Sequence, residues 1–327
     1  MPGSFAYGQL LLDLTLQAVP LRHLMPLRAI NRYARSFVDS RIFKQVTLRT
    51  DVAVPGGELV IPVITETRQP LPVPDLTPSS PIRSAQILLE YLDKYTTALD
   101  LERVHDDILR LLGDGKMTLS RLEYLRLRSD NDGFHTETLS YCFGAPSVVV
   151  FPSFNPFIGW HTTGPEFSPS GMTKLVQHVA PAIDWRDPVP FNSSMYNHTI
   201  KDEIWVMTLL DRESGWGGRY RSSEDRPGLH ENFVSTIAFR LKVGINLTLI
   251  GLEIERGTTE WLVDHYRAST TEELHDGFRS DLRRNWGVTE EAIRYLNFKT
   301  WAEYAATLTQ EQLAMESLPR RVRTANF

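Results

Sequence analysis

The residue types able to carry chemistry in this chain are its nine histidines, its single cysteine, and a set of arginines and aromatics at spaced positions. His135, His161, His178 and His198 are scattered. No C-x-x-C or H-E-x-x-H spacing gathers them, so neither a metal centre nor a cofactor is expected. Cys142 with His135 or His178 would make a nucleophile and base if the fold joined them. Cys142 stands between Tyr141 and Phe143, however, which is the setting of a buried core cysteine. There is no G-x-S-x-G elbow, and Gly113-Asp114-Gly115-Lys116-Met117 lacks the first glycine and the Ser/Thr of a phosphate loop. The carboxylate pairs Asp106-Asp107 and Glu272-Glu273 sit at helix starts, where negative charge is favoured anyway. No catalytic residue is therefore expected. The chemistry that remains is recognition. Tyr124, Arg126 and Arg128 alternate along one strand-like run, Gln177, His178 and Trp205 lie on others, and Trp160, His161, Trp185 and Trp216 fall in loops. Exposed aromatics and arginines are the usual anchors of protein interfaces.

The elements that must position these residues are short apolar runs. Leu122-Glu123-Tyr124-Leu125-Arg126-Leu127-Arg128 has the L-x-x-L-x-L spacing of a leucine-rich repeat strand. Alternation predicts Leu125 and Leu127 inward and Tyr124, Arg126 and Arg128 outward, as substrate contacts. Similar runs recur at 98–101, 147–151, 174–179, 203–209 and 246–252, about 25 residues apart with one longer gap near the end. Helices are predicted between them at 82–95, 106–112 and 229–243. Phosphate-loop glycines, the mark of a doubly wound sheet, are absent. Prolines 55, 62, 70, 72, 74, 78 and 81 predict an exposed loop or edge extension. Loops at 151–161 and 181–198 leave strand ends, where binding residues collect. From Thr258 the pattern turns helical, at 261–265, 272–286, 290–296, 301–306 and 310–318.

The N-terminal stretch predicts a compact helical unit. Leu10, Leu11, Leu14 and Ala18 share one helical face, and Pro20 ends that helix. Leu24, Leu27, Ile30 and Ala34 predict a second helix with Pro26 in its first turn, followed by a strand at 46–49. The run Leu16-x-x-Val19-Pro20-Leu21-Arg22-x-Leu24-x-x-Leu27-Arg28-Ala29-Ile30-Asn31-Arg32, with Phe37-Val38-Asp39-Ser40 and Phe43, resembles a fungal F-box. Ser4-Phe5-Ala6-Tyr7 stands where that family has Leu-Pro-x-Glu. The resemblance implies a helical unit that docks a Skp-type adaptor of an SCF ubiquitin ligase, with its cullin, through Leu16, Val19, Pro20, Leu21 and Leu24. It also implies a downstream substrate-binding region, often of leucine-rich repeats. From spacing alone, the same stretch also reads as the polar-faced cap that closes a repeat array.

Composition sets the outer bounds. At 327 residues and 42% hydrophobic, the chain can build a sizeable core. A net charge of −5 argues against nucleic-acid binding, and no apolar run reaches the ~20 residues of a membrane span. One cysteine excludes an internal disulfide, and residues 10–16 make a poor signal peptide, so a cytoplasmic or nuclear location is expected. The sequence thus predicts an α/β chain in three parts. These are a helical F-box-like unit (1–45), an irregular leucine-rich-repeat-like array with proline-rich loops (46–257) and a helical C-terminal cap (258–327). The function expected is non-enzymatic capture of an unknown protein substrate. A repeat scaffold unrelated to ubiquitin and an α/β enzyme with a loop-built site are the alternatives.

Overall fold

The computed structural model describes residues 12, 14–51, 59–73, 82–102, 119–128, 145–151, 172–179, 200–207, 227–254 and 260–317. The architecture is mixed α/β. The chain resolves into two compact units, residues 1–125 with 141–145, and residues 126–140 with 146–327. The sequence had suggested boundaries near 45 and 257. Among the described residues no helix is long and apolar enough to cross a membrane.

In the first unit, residues 14–18 are helical. Two 3-10 turns, Leu21–His23 and Met25–Ala29, lead to helix α1 (Arg32–Ile42). The expected single helix from Leu24 to Ala34 is therefore broken. Asn31 breaks it: its backbone is extended, and its side chain accepts from the Ala34 amide at 2.7 Å, an N-cap that starts a new helix. Leu16, Leu24, Ala34, Val38 and Ile42 are fully or almost fully buried. Arg41 donates to the carbonyls of Leu16 and of Val19 (3.0 Å), which pins the end of the first helix.

Strands β1 (Gln45–Asp51) and β2 (Leu59–Ile64) pair antiparallel, and β1 pairs parallel with β3 (Ala98–Glu102), giving the order β2-β1-β3. The expected loop thus contains a strand. Pro62 has no N–H to give, and β2 lies at the end of this order, the place where a sheet tolerates proline. Helix α2 (Ile82–Tyr95) buries Ala85, Leu88, Leu89 and Leu92. Phe43 stacks on Tyr91 with centroids 5.0 Å apart, which ties α1 to α2. Strand β4 (Tyr124–Arg128) carries the division between units, after Leu125.

In the second unit, β5 (Ser147–Phe151), β6 (Lys174–Val179), β7 (Asp202–Met207), β8 (Asn246–Ile250) and β9 (Leu296–Lys299) run parallel and neighbour one another in chain order. Among the described residues, the helices of this unit are α3 (Pro227–Lys242), α4 (Glu260–Tyr266), α5 (Thr271–Arg284), α6 (Glu290–Ile293), α7 (Trp301–Ala305) and α8 (Gln310–Glu316). Register and alternation divide the strands into two faces. Trp205, Met207, Leu247, Leu249 and Leu296 share one face and form a core with Phe233, Ile237 and Leu241 of α3, Leu262 of α4, and Leu274, Phe278 and Leu282 of α5. Strand β9 was missed, because 290–296 reads as a single helix. The Thr289 cap starts that helix, but it ends at Ile293, and Leu296 pairs with Leu247 instead.

Candidate functional site

On the first unit, the candidate interaction surface is what the helical core leaves outside. Of the residues expected to meet an adaptor, Leu16 and Leu24 are 2% and 0% exposed and belong to the core. Val19 and Leu21 are half-buried, and Pro20 is exposed. Among the described residues of this unit, the large apolar side chains in solvent are Leu14 (53%), Ile30 (60%) and Tyr33 (37%). Arg28 closes on Asp39 through two contacts, Nε to Oδ1 at 2.5 Å and Nη2 to Oδ2 at 3.2 Å. A cavity of about 360 Å³ lies between α1 and α2, lined by Arg32, Arg35, Asp39, Glu90, Tyr91 and Lys94. With Asp39 held by Arg28, the cations outnumber the free acids on this rim.

The substrate face expected on the strands is not open where the structure describes it. Tyr124 and Arg126 are 8% and 2% exposed, so neither stands out to solvent as alternation predicted. Leu125 and Leu127 are buried too, so the strand is covered on both faces. The Arg126 guanidinium lies over the Phe151 ring, 5.2 Å from its centre. The side chain of Arg128, and Trp160, His161, Trp185, Trp216, Cys142 and the loops 152–161 and 181–198, lie outside the described residues, as do the helix expected at 106–112 and the glycines of 113–115.

His178 and Lys174 share the face of β6 opposite the helical core, and the C-terminal segment covers them. Lys174 Nζ meets Glu316 Oε1 at 2.5 Å, and its ammonium lies over the Tyr304 ring at 5.7 Å. The Tyr304 hydroxyl donates to the other oxygen of Glu316, which is itself fully buried. His178 Nε2 stands 2.7 Å from the Glu316 carbonyl and donates to it, while the ring stacks on Phe151 with centroids 5.0 Å apart. Burial, with the Arg126 cation adding to it, lowers the His178 pKa to about 4. His178 is therefore a neutral structural donor at pH 7.

On the helical side of the sheet, Glu203 is fully buried yet satisfied. Arg240 Nε reaches its Oε2 at 2.8 Å, and Trp205 Nε1 and Gln177 Nε2 reach its Oε1 at 2.8 and 3.4 Å. Gln177 and Trp205, candidates for contact, are thus internal ligands of one carboxylate.

A cluster that the sequence did not suggest lies on the outer helices. His230 (α3), His265 and Tyr266 (α4) and Asp281 (α5) meet there. Tyr266 donates to Asp281 Oδ2 at 2.8 Å and stands 2.8 Å from His230 Nε2. The imidazoles of His230 and His265 stack with centroids 3.5 Å apart. Burial, then the neighbouring His265, lower the His230 pKa, and Asp281 opposes them. Tyr266 is pushed above the usual phenol range by burial and by Asp281. No spacing rule flags residues 230, 265 and 281; helix packing alone unites them. No family model, curated protein or solved structure matches this chain.

Proposed function

We propose that this chain is a non-enzymatic protein-interaction module, the substrate receptor of an SCF-type ubiquitin ligase. Its N-terminal helical unit docks a Skp-type adaptor, which joins it to a cullin ligase, and the rest of the chain holds a protein substrate. The observation that carries the reading is the apolar surface of the N-terminal unit. Leu14 and Ile30 stay 53% and 60% exposed while Leu16, Leu24, Val38 and Ile42 of the same unit are buried. Burying a large aliphatic side chain is worth about 1.5–3 kcal/mol, which a docked partner would recover. The cationic rim between α1 and α2 suits a partner that presents carboxylates beside an apolar face.

Strand order supports a repeat array over an enzyme. From β5 to β9 the strands neighbour one another in chain order, without the reversal at which doubly wound sheets bind ligands. Full burial of Leu16 and Leu24 favours a second reading, in which the N-terminal unit is only the cap of a scaffold unrelated to ubiquitin.

Adaptor capture by the intact chain and by Leu14→Asp/Ile30→Asp separates the two. Both positions are exposed, so the variant keeps its core, which circular dichroism checks. The receptor reading expects binding by the intact chain and its loss in the variant. The cap reading expects no adaptor binding by either.

A further inference from the structure

We propose that His230, His265 and Asp281 form a binding site for a divalent transition metal of the zinc class. One ligand atom from each lies within 4.8 Å of the others. His230 Nε2 and Asp281 Oδ2 are 3.1 Å apart, close to the ~3.3 Å between two atoms that share a tetrahedral zinc at about 2.0 Å. Two imidazoles and one carboxylate are borderline ligands suited to zinc, and a fourth position is left to water. The proposal is independent of adaptor docking, since all three ligands lie on the second unit.

The surroundings are built to aim the ligands. Asn285 Nδ2 donates to Asp281 Oδ1 at 2.6 Å, which turns Oδ2 toward His230. Tyr266 donates to that same Oδ2 at 2.8 Å, so the carboxylate is oriented on both oxygens, as outer partners orient metal-bound carboxylates. The three helices share one core through Phe233, Leu262 and Phe278. Gly277 lets α4 approach α5: a Cβ there would lie 3.1 Å from Tyr266 Cγ. Two adjustments are required. His230 Nε2 gives up its proton and its hydrogen bond to the Tyr266 hydroxyl, 2.8 Å away, so that its lone pair is free for the metal. The rings of His230 and His265 are 21° from parallel, so their in-plane lone pairs run alongside each other rather than converging. His265 is exposed and turns about its side-chain torsions to complete the site, while His230 and Asp281 stay in place. Binding therefore unstacks the imidazole pair.

The experiment uses the full chain after chelator treatment, with Co²⁺ as the probe and Zn²⁺ as competitor. We expect one Co²⁺ per chain, with a visible ligand-field spectrum that Zn²⁺ abolishes. His265→Ala removes an exposed side chain and leaves the fold intact. It should weaken binding by more than the ~10–100-fold that loss of an outer partner costs, and Asn285→Ala should fall within that range. Absence of a Zn²⁺-displaceable Co²⁺ spectrum in the intact chain overturns the proposal. So does binding by His265→Ala that is as tight as that of the intact chain.

Discussion

Acidification from pH 7 to pH 4 should destabilise the second unit through His178, and the size of the effect follows from its surroundings. The imidazole is 2% exposed, stacks on Phe151 and donates to the Glu316 carbonyl. Its pKa is about 4 in the folded chain and 6.5 when solvated. Below pH 6.5 the unfolded chain takes up a proton that the folded chain refuses, so stability falls as pH falls. The contribution is fully present above pH 6.5 and is lost progressively down to about pH 4. At about 1.4 kcal/mol per pH unit, the loss over that window is about 3 kcal/mol. Other groups titrate in the same range, so the quantity to measure is a difference. His178→Gln keeps an N–H donor for the Glu316 carbonyl and removes the titration. Urea unfolding of both proteins at intervals between pH 7 and pH 4 should show the parent losing about 3 kcal/mol more than the variant. Parallel pH profiles, or an NMR titration of His178 with its midpoint near 6.5, would show that the imidazole is not held neutral by its burial.

Three further results are expected. Arg240→Met leaves the buried Glu203 carboxylate without its cation and should cost about 3–5 kcal/mol in urea unfolding, whereas Glu203→Leu/Arg240→Leu should cost far less. Asn31→Ala removes the cap on Ala34 and should cost about 1 kcal/mol, with hydrogen exchange faster in the first turn of α1. Glu316→Gln deprives Lys174 of its ion pair at a site where the lysine is 22% exposed; it should cost about 1.5–3 kcal/mol and speed proteolysis in residues 301–317.

Much of the fold was legible because strand and helix periods are local. Helix 82–95 and strands 147–151 and 174–179 stand where the alternation and apolar stripes placed them. Three failures share a cause, in that short-range chemistry or pairing overrode a pattern. Asn31 caps a new helix inside an unbroken apolar stripe, Pro62 sits on a strand at the end of the order, and Leu296 leaves a helix-like run to pair with Leu247. The sites were less legible. Period alone sends Tyr124 and Arg126 outward, but it does not see what comes to lie over a strand, and both are buried. Lys174 meets Glu316 across 142 residues and His178 meets its carbonyl across 138, distances at which no sequence period speaks. The same holds for His230 and Asp281, joined only by helix packing. An amphipathic pattern also says which residues are apolar, not which of them the core has room for. Leu16 and Leu24 went inside while Leu14 and Ile30 stayed out.

The proposed docking of a Skp-type adaptor on the N-terminal unit rests on apolar side chains that its own core does not use. The most direct measurement is the affinity of purified adaptor for the intact chain, for Leu14→Asp/Ile30→Asp and for a control with Val243→Asp, an exposed apolar residue of the other unit. Docking through Leu14 and Ile30 predicts binding by the intact chain and the control, and at least a tenfold loss in the double variant. Binding that the double variant retains, or an intact chain that never binds, would contradict it.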